Sequence, residues 1–377
     1  MAGACLSFTP PPYPYERLDD VKKIAARHEG GAIDCSIGTP VDAPSEAVLE
    51  ELAKATGARG YPTSQGSLDY RVACAGWLER RFNVEVAPDQ LAACIGTKEF
   101  VGTVAGYLHL RTPERDTVLY PALSYPTYAM GATLAGLRSV PVALNAGQLD
   151  LESIDPADVA RALVLWSNSP SNPTGLLDDL GAVAEWGRRH GVLVCSDECY
   201  AEYTWRGEPR TILEHGLDGV LSLHSASKRS NLAGVRAGFY AGDAEVVSFL
   251  RLVRQHAGFM VPGPVQAAVS VAYNDDAHVS LQRDRYRTRL EWMSSALEAF
   301  GVTAPMPDGA FYLWCSKAGL DGWALAEQLA DASGLVVSPG EFYGGAGRDF
   351  VRVAMVQPDD RLALAATRLL GHNLRPQ

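Results

Sequence analysis

Across the middle of the chain, short apolar runs alternate with stretches of helical spacing, and this alternation narrows the choice of fold more than any other feature. The runs cover residues 91–95, 118–120, 140–144, 162–166, 192–195 and 220–223. Between them lie patterns such as residues 178–190, where Leu180, Val183 and Trp186 share one face and Gly191 ends the helix. Runs this short and this uniformly apolar suit strands covered by helices on both faces. The fold class expected is α/β, a large domain built on a mainly parallel, doubly wound sheet. Ligands in such sheets bind beyond the carboxyl ends of the strands, so the strand-exit loops are where function is sought.

Those loops carry residue types with chemistry. Run 91–95 exits into Gly96-Thr97-Lys98 at a helix start, where free backbone N–H groups and the Thr97 hydroxyl suit an anion. The loop after 118–120 holds Tyr125, a flat face on which a ring can stack. Run 162–166 exits into S-N-S-P-S-N-P-T-G, where Asn172 offers an amide donor. Run 192–195 exits into S-D-E-C-Y, placing Asp197 to hold a protonated ring nitrogen and Tyr200 to bond a ring oxygen. Run 220–223 exits into H-S-A-S-K-R-S-N-L-A-G-V-R-A-G-F, with Lys228 beside Ser225 and Ser227 and with Arg236 between Gly234 and Gly238. A lysine at the edge of a buried strand is costly unless its charge is used or removed, and a Schiff base removes it. Arg352 stands alone in the apolar run V-R-V-A-M, where a substrate carboxylate held bidentately would answer its charge.

Each motif alone has a plainer reading: a turn, a capping aspartate, a packing tyrosine or a structural salt bridge. Read together, they answer a phosphate, a basic ring nitrogen, a phenolic oxygen and an aldehyde. Pyridoxal 5′-phosphate carries all four. Ser225, Ser227 and Arg236 would join Thr97 around its phosphate.

The 377 residues exceed one ordinary core. The breaker-free run at residues 278–300 predicts a long amphipathic helix leading into a smaller α/β unit. The expected division is a large cofactor domain at 45–280, with 1–44 and 281–377 forming an N-terminal arm plus small domain. Proline and aromatics in the first fifteen residues predict an extended arm, followed by a short helix over 17–27. A net charge of −11 without basic blocks argues against a nucleic-acid partner. Seven scattered cysteines form no disulfide framework, and Cys195 with Cys199 lacks the further ligands of a zinc site, so no metal is expected. With neither a signal-peptide pattern nor a membrane-length apolar run, the expectation is a cytoplasmic protein with no membrane contact. No G-x-G-x-x-G follows a strand and no Gly-Lys pair occurs, which removes dinucleotide and P-loop sites.

With these residues assembled, the chain resembles the fold-type I pyridoxal-phosphate enzymes, specifically the class I/II aminotransferases. The likeness runs in order through S-I-G-T-P, G-Y-P, G-T-K-E, Y-P-T-Y, S-P-S-N-P-T-G, S-D-E-C-Y, S-A-S-K, G-V-R-A-G and V-R-V-A. Within it, H-S-A-S-K-R-S-N-L-A-G-V-R-A-G-F, A-G-F-M-V-P-G-P-V-Q-A-A and S-P-G-E-F-Y-G are similar to actinobacterial N-succinyldiaminopimelate aminotransferases of lysine biosynthesis. The resemblance implies that Lys228 is the catalytic residue bonded to the cofactor's aldehyde. It further implies Asp197 on the ring nitrogen, Asn172 and Tyr200 on the ring oxygen, and Tyr125 stacked on the ring. Thr97, Lys98, Ser225, Ser227 and Arg236 would hold the phosphate, and Arg352 with Gly38 and Asn172 the substrate carboxylate. It implies a homodimer with shared sites, in which Tyr61 reaches the partner's phosphate. The implied substrates are small amino and 2-oxo acids, namely glutamate with N-succinyl-2-amino-6-oxopimelate, and Lys98 or Arg17 would read a distal carboxylate. The alternatives are another amino acid, aspartate or aromatic, or a non-catalytic sensor of the same fold. Ala226, where leucine is usual, and Val235, where a larger residue is common, depart from the family pattern in packing positions.

Overall fold

The computed structural model describes residues 8–372. In chain order its strands are β1 (Ile33–Asp34), β2 (Leu91–Cys94), β3 (Thr117–Pro121), β4 (Arg138–Val142), β5 (Leu144–Asn145), β6 (Gln148–Leu149), β7 (Ala162–Asn168), β8 (Leu193–Asp197), β9 (Val220–Ser225), β10 (Gly238–Gly242), β11 (Tyr312–Ser316), β12 (Leu335–Val336), β13 (Ser338–Pro339) and β14 (Phe350–Ala354). The central sheet has seven strands in the order β2-β10-β9-β8-β7-β3-β4. From β4 to β9 the pairs are parallel, while β10 runs antiparallel to both β9 and β2.

Every residue of β7 and β9 is buried, as strands covered on both faces must be. The two faces separate with period two. Leu165 and Phe239 pack against the helices Leu68–Phe82 and Leu180–His190, while Trp166 and Tyr240 pack against Thr97–Arg111 and Ala244–His256. At roughly 25 cal/mol per Å² of apolar surface buried, these two layers supply most of what holds the sheet. A further core gathers around β11, β14 and β13 under the helices Ala277–Ala299, Gly322–Ser333 and Asp359–His372. Its strand β14 is tied to the residue after β1 by the bond from Ala354 N–H to Cys35 O, 2.9 Å.

The α/β architecture with a mainly parallel sheet is as the alternation predicts, and the differences are local. Strand β10 does not stand out in the sequence as a strand. Its G-F-Y-A-G has glycine at both ends because the backbone passes close to β9: a Cβ on Gly238 would lie 2.5 Å from His224 O, and one on Gly242 2.1 Å from Val220 O. The run 140–144 divides between β4 and the small hairpin β5–β6. Near the start of the chain, β1 is only two residues long and pairs with β12. In the arm, residues 1–7 lie outside the described residues, and Pro14–Leu18 forms a 3₁₀ turn instead of extended chain, with proline at its favoured first position. Ser45 occupies the N-cap position of the helix Glu46–Ala53 but makes no capping bond. Among the described residues no helix is long and apolar enough to cross a membrane.

Candidate active site

Strand exits from β2, β3, β7, β8 and β9 open on one cavity of about 530 Å³. Its wall includes Gly38, Thr97, Lys98, Tyr125, Asn172, Asp197, Tyr200, Ser225, Ser227, Lys228, Arg236 and Arg352. Twelve of the positions singled out in the sequence thus meet in one place, although they span more than 300 positions of chain.

At one end stands an anion cradle. Gly96 caps the helix Thr97–Arg111 with φ 70° and ψ 151°, a backbone region open essentially to glycine alone. Its missing side chain leaves room for Arg236, whose Nη2 would lie 2.3 Å from a Cβ placed there. The Arg236 guanidinium donates to Ala233 O at 2.9 Å and more weakly to Ser227 Oγ at 3.4 Å, both neutral acceptors. Ser225 caps the short helix Ala226–Arg229 by accepting from Ser227 N–H at 3.1 Å. A guanidinium bonded to two neutral oxygens, a helix N-terminus and two hydroxyls converge there, and a phosphate dianion would satisfy them together.

Asp197, the last residue of β8, lies deeper. Its Oδ2 accepts from the Tyr128 hydroxyl at 3.0 Å and its Oδ1 from Cys199 N–H at 3.2 Å. Burial pushes its carboxyl above the ordinary carboxylate range, and the bonds from Cys199 and Tyr128 oppose that rise. Tyr128 is held in turn by stacking on Trp166, with centroids 4.9 Å apart. Asn168 fixes the Asp197 main chain with a bond from Nδ2 to Asp197 O, 2.8 Å, and accepts from Asn172 N–H on the same amide, 2.8 Å.

Lys228 projects from the helix Ala226–Arg229 and donates to Gly38 O. Burial brings its amine down to about 8, and repulsion from Arg352 and Arg236 adds to this, against attraction from Cys199 and Asp197. Near neutrality a usable fraction of the amine is therefore uncharged and nucleophilic. Tyr200 shares a hydroxyl bond of 2.7 Å with Tyr312. Gly38 is glycine because Tyr312 lies where a side chain would go: a Cβ would fall 2.2 Å from the Tyr312 hydroxyl.

Arg352 is 2 % exposed. It donates from Nη1 to Asn172 Oδ1 at 2.7 Å, and from Nη2 to Ser36 O at 2.6 Å and to the Tyr15 hydroxyl at 3.4 Å. Among the described residues its Nε has no partner, and Tyr312 lies against the guanidinium at 4.2 Å. None of these partners is an acid. Among the described residues it has no acidic partner, and a buried cation so placed, facing a cavity beside Lys228, can receive a carboxylate.

Two expected residues stand apart. Tyr61 is fully exposed and lines a different cavity with Arg251, Leu252 and Met260. Arg17 does not line the active-site cavity; it pairs with Glu341 at 2.7 Å and lies over Trp323. Lys98 does line it, with its Nζ 3.3 Å from the Tyr13 hydroxyl. Sequence reasoning missed Tyr15, Asn168, Tyr128 and Tyr312, although Asn168 and Tyr128 lie in the stretches S-N-S-P-S-N-P-T-G and Y-P-T-Y. Among the described residues no cluster suits a metal ion.

The donor set fits pyridoxal phosphate, with the cradle for its phosphate, Asp197 for its ring nitrogen and Lys228 for its aldehyde. A family model described as Aminotransferase class I and II matches residues 31–369. The chain is 42 % identical over 367 residues to the 4-dedimethylamino-4-oxo-anhydrotetracycline transaminase OxyQ of Streptomyces rimosus, covering 95 % of this chain and 99 % of that protein. It is 34 % identical to the LL-diaminopimelate aminotransferase of Aquifex aeolicus, with 95 % and 96 % covered. A solved structure described as a probable N-succinyldiaminopimelate aminotransferase from Thermus thermophilus matches with TM-score 0.83 and 31 % identity, over 95 % of this chain and 99 % of that one.

Proposed function

Because the chain belongs to the class I and II aminotransferases and is a pyridoxal-phosphate-dependent transaminase, we propose that it moves an amino group between L-glutamate and N-succinyl-2-amino-6-oxopimelate. This is the N-succinyl-LL-diaminopimelate:2-oxoglutarate reaction of lysine biosynthesis. The observation that carries the amino-acid part of this reading is Arg352, a buried guanidinium bonded only to neutral groups in the wall that also holds Lys228. The diaminopimelate part is supported by the relatives from Aquifex aeolicus and Thermus thermophilus. Lys98, another cation in the same wall, is proposed to meet a distal carboxylate.

When bound, pyridoxal phosphate supplies an aldehyde that condenses with amines and a ring that takes up the electron pair released at the substrate's Cα. Lys228 is the base that removes the Cα proton and returns one on the other half of the exchange. Asp197, oriented by Tyr128 and Cys199 N–H, supplies the counter-charge for a protonated ring nitrogen. Asn172 and Tyr200 would bond the ring oxygen, and Tyr125 would stack on the ring. Thr97 and Lys98 N–H groups, Ser225, Ser227 and Arg236 hold the phosphate. Arg352 holds the α-carboxylate with Asn172, and Gly38 keeps that pocket open.

The proposed division is a cofactor domain at 45–280, with 1–44 and 281–377 as arm and small domain. The full exposure of Tyr61 supports its reaching a second copy in a cytoplasmic homodimer. A second reading, with a 4-oxo-anhydrotetracycline as acceptor, is favoured by the identity to OxyQ over nearly all of that protein. The test is 2-oxoglutarate formation from glutamate with a panel of acceptors. N-succinyl-2-amino-6-oxopimelate should give the highest kcat/KM. A preference for the anhydrotetracycline ketone, or for the 2-oxo acid of aspartate or of an aromatic amino acid, would overturn the assignment.

A further inference from the structure

The residue after Lys228 is a second buried cation, and nothing in the reaction uses it. Arg229 is 3 % exposed and turns away from the cavity. Its guanidinium donates to Glu202 Oε1 (3.3 Å), Ser230 Oγ (3.2 Å), Ala272 O (2.6 Å), Asp275 O (3.4 Å) and Asp276 Oδ1 (2.9 Å). Trp77 and Tyr273 enclose it at 5.4 and 5.0 Å from their ring centroids. Glu202 is held from the other side by Trp77 Nε1 at 2.7 Å and Arg81 Nε at 2.6 Å. Beside Glu202, Tyr203 donates its hydroxyl to Lys228 O at 2.9 Å and Arg229 O at 3.3 Å.

The segment that carries Tyr200 is thus tied to the segment that carries Lys228 by one side chain running in each direction. Glu202 reaches the Arg229 guanidinium, and Tyr203 reaches the Lys228 main chain. A helix of four residues, Ala226–Arg229, has no stability of its own, because the nucleation cost of a first turn is not recovered over that length. Its orientation must come from outside. The fully tethered guanidinium, which lies on the far side of the backbone from the amine, is the strongest anchor it has.

We infer that Arg229, Glu202 and Tyr203 form a latch behind the cavity that sets the position of Lys228 relative to Tyr200, with Arg229 as a positioning residue. The inference rests on the reading of Lys228 as the catalytic base. Arg229 acts through the main chain, so its loss misplaces the amine while leaving the carboxylate and phosphate anchors intact. A displacement of about 1 Å at a reacting group costs up to about a hundredfold in rate.

The test compares Arg229→Met, Tyr203→Phe, Lys228→Ala and a control, Arg71→Met, in the holoenzyme. Arg71 is similarly buried and tethered to Pro88 O and Asp89, away from the cavity. Four quantities are read: kcat and KM for glutamate, the rate at which apoprotein captures pyridoxal phosphate by absorbance, and Tm. Arg229→Met should lower kcat and the capture rate together by about tenfold, and Tyr203→Phe by about threefold, with KM unchanged within about twofold. Arg71→Met should lower Tm and leave kcat in place. The latch is overturned if Arg229→Met and Tyr203→Phe keep kcat and capture rate, if only KM moves, or if the control loses as much kcat at matched Tm. Retained activity in Lys228→Ala would instead overturn the reading of the lysine on which the latch depends.

Discussion

Replacing Arg352 by Met tests the substrate reading most sharply. The side chain is buried, its bonds go to neutral acceptors, and its Nε is unpartnered among the described residues. A substrate carboxylate there would gain charge-assisted hydrogen bonds worth about 1.5–3 kcal/mol each. Two such bonds, each value already net of desolvation, give about 3–6 kcal/mol. At about 1.4 kcal/mol per decade, Arg352→Met should lower kcat/KM for glutamate by about 10²–10⁴-fold. Arg352→Lys keeps the charge but loses the planar fork, and should recover only part of this. The loss should be specific to the carboxylate, so a primary amine of similar shape, already a poor substrate, should react at nearly the same rate in both proteins. Stopped-flow half-reactions with glutamate and with the amine give the two ratios directly. If the substitution costs glutamate less than about threefold, or costs the amine equally, Arg352 is not the carboxylate anchor.

Three further outcomes follow from the site. Capture of pyridoxal phosphate by apoprotein needs the neutral Lys228 amine; because its pKa is lowered to about 8, the rate should rise with pH through that value and then level off. A rate still climbing towards the ordinary lysine range would contradict this. Asp197→Asn should reduce kcat by about 10²–10⁴-fold without lowering Tm, since it removes a buried carboxylate bonded only to neutral donors; a clear fall in Tm would show that the charge is structural. Gly96→Ala forces a side chain onto Arg236 at positive φ and should cost about 1–3 kcal/mol of stability by thermal melts. It should also weaken cofactor binding in a fluorescence titration, and unchanged binding would remove Arg236 from the cradle.

Much of the site was legible because its residues sit where strands end. Asp197 closes β8, Thr97 opens the helix after β2, and Lys228 follows β9, so apolar runs point to them. Arg352 announces itself as a charge in an apolar strand. Tyr15, Tyr128 and Tyr312 carry no such signal, since a tyrosine in an arm, a helix or a strand reads as packing until its hydroxyl partner is known. Tyr128 becomes functional only through Asp197, 69 positions away, and Tyr312 only through Tyr200, 112 positions away.

What the sequence determined by itself is local and periodic: the alternation that makes a doubly wound sheet, the loops that must carry chemistry, and a set of groups that one cofactor answers. Periodicity reports which face of an element is buried, and it says nothing about which element covers it. Tertiary structure decided the rest. It inserted β10 antiparallel between β2 and β9, where two glycines permit the close approach. It joined Arg352 to Asn172 across 180 positions, tied Arg229 behind the lysine and left Tyr61 on the outer surface. Each of these is a choice of partner between distant segments, fixed only when the whole chain packs.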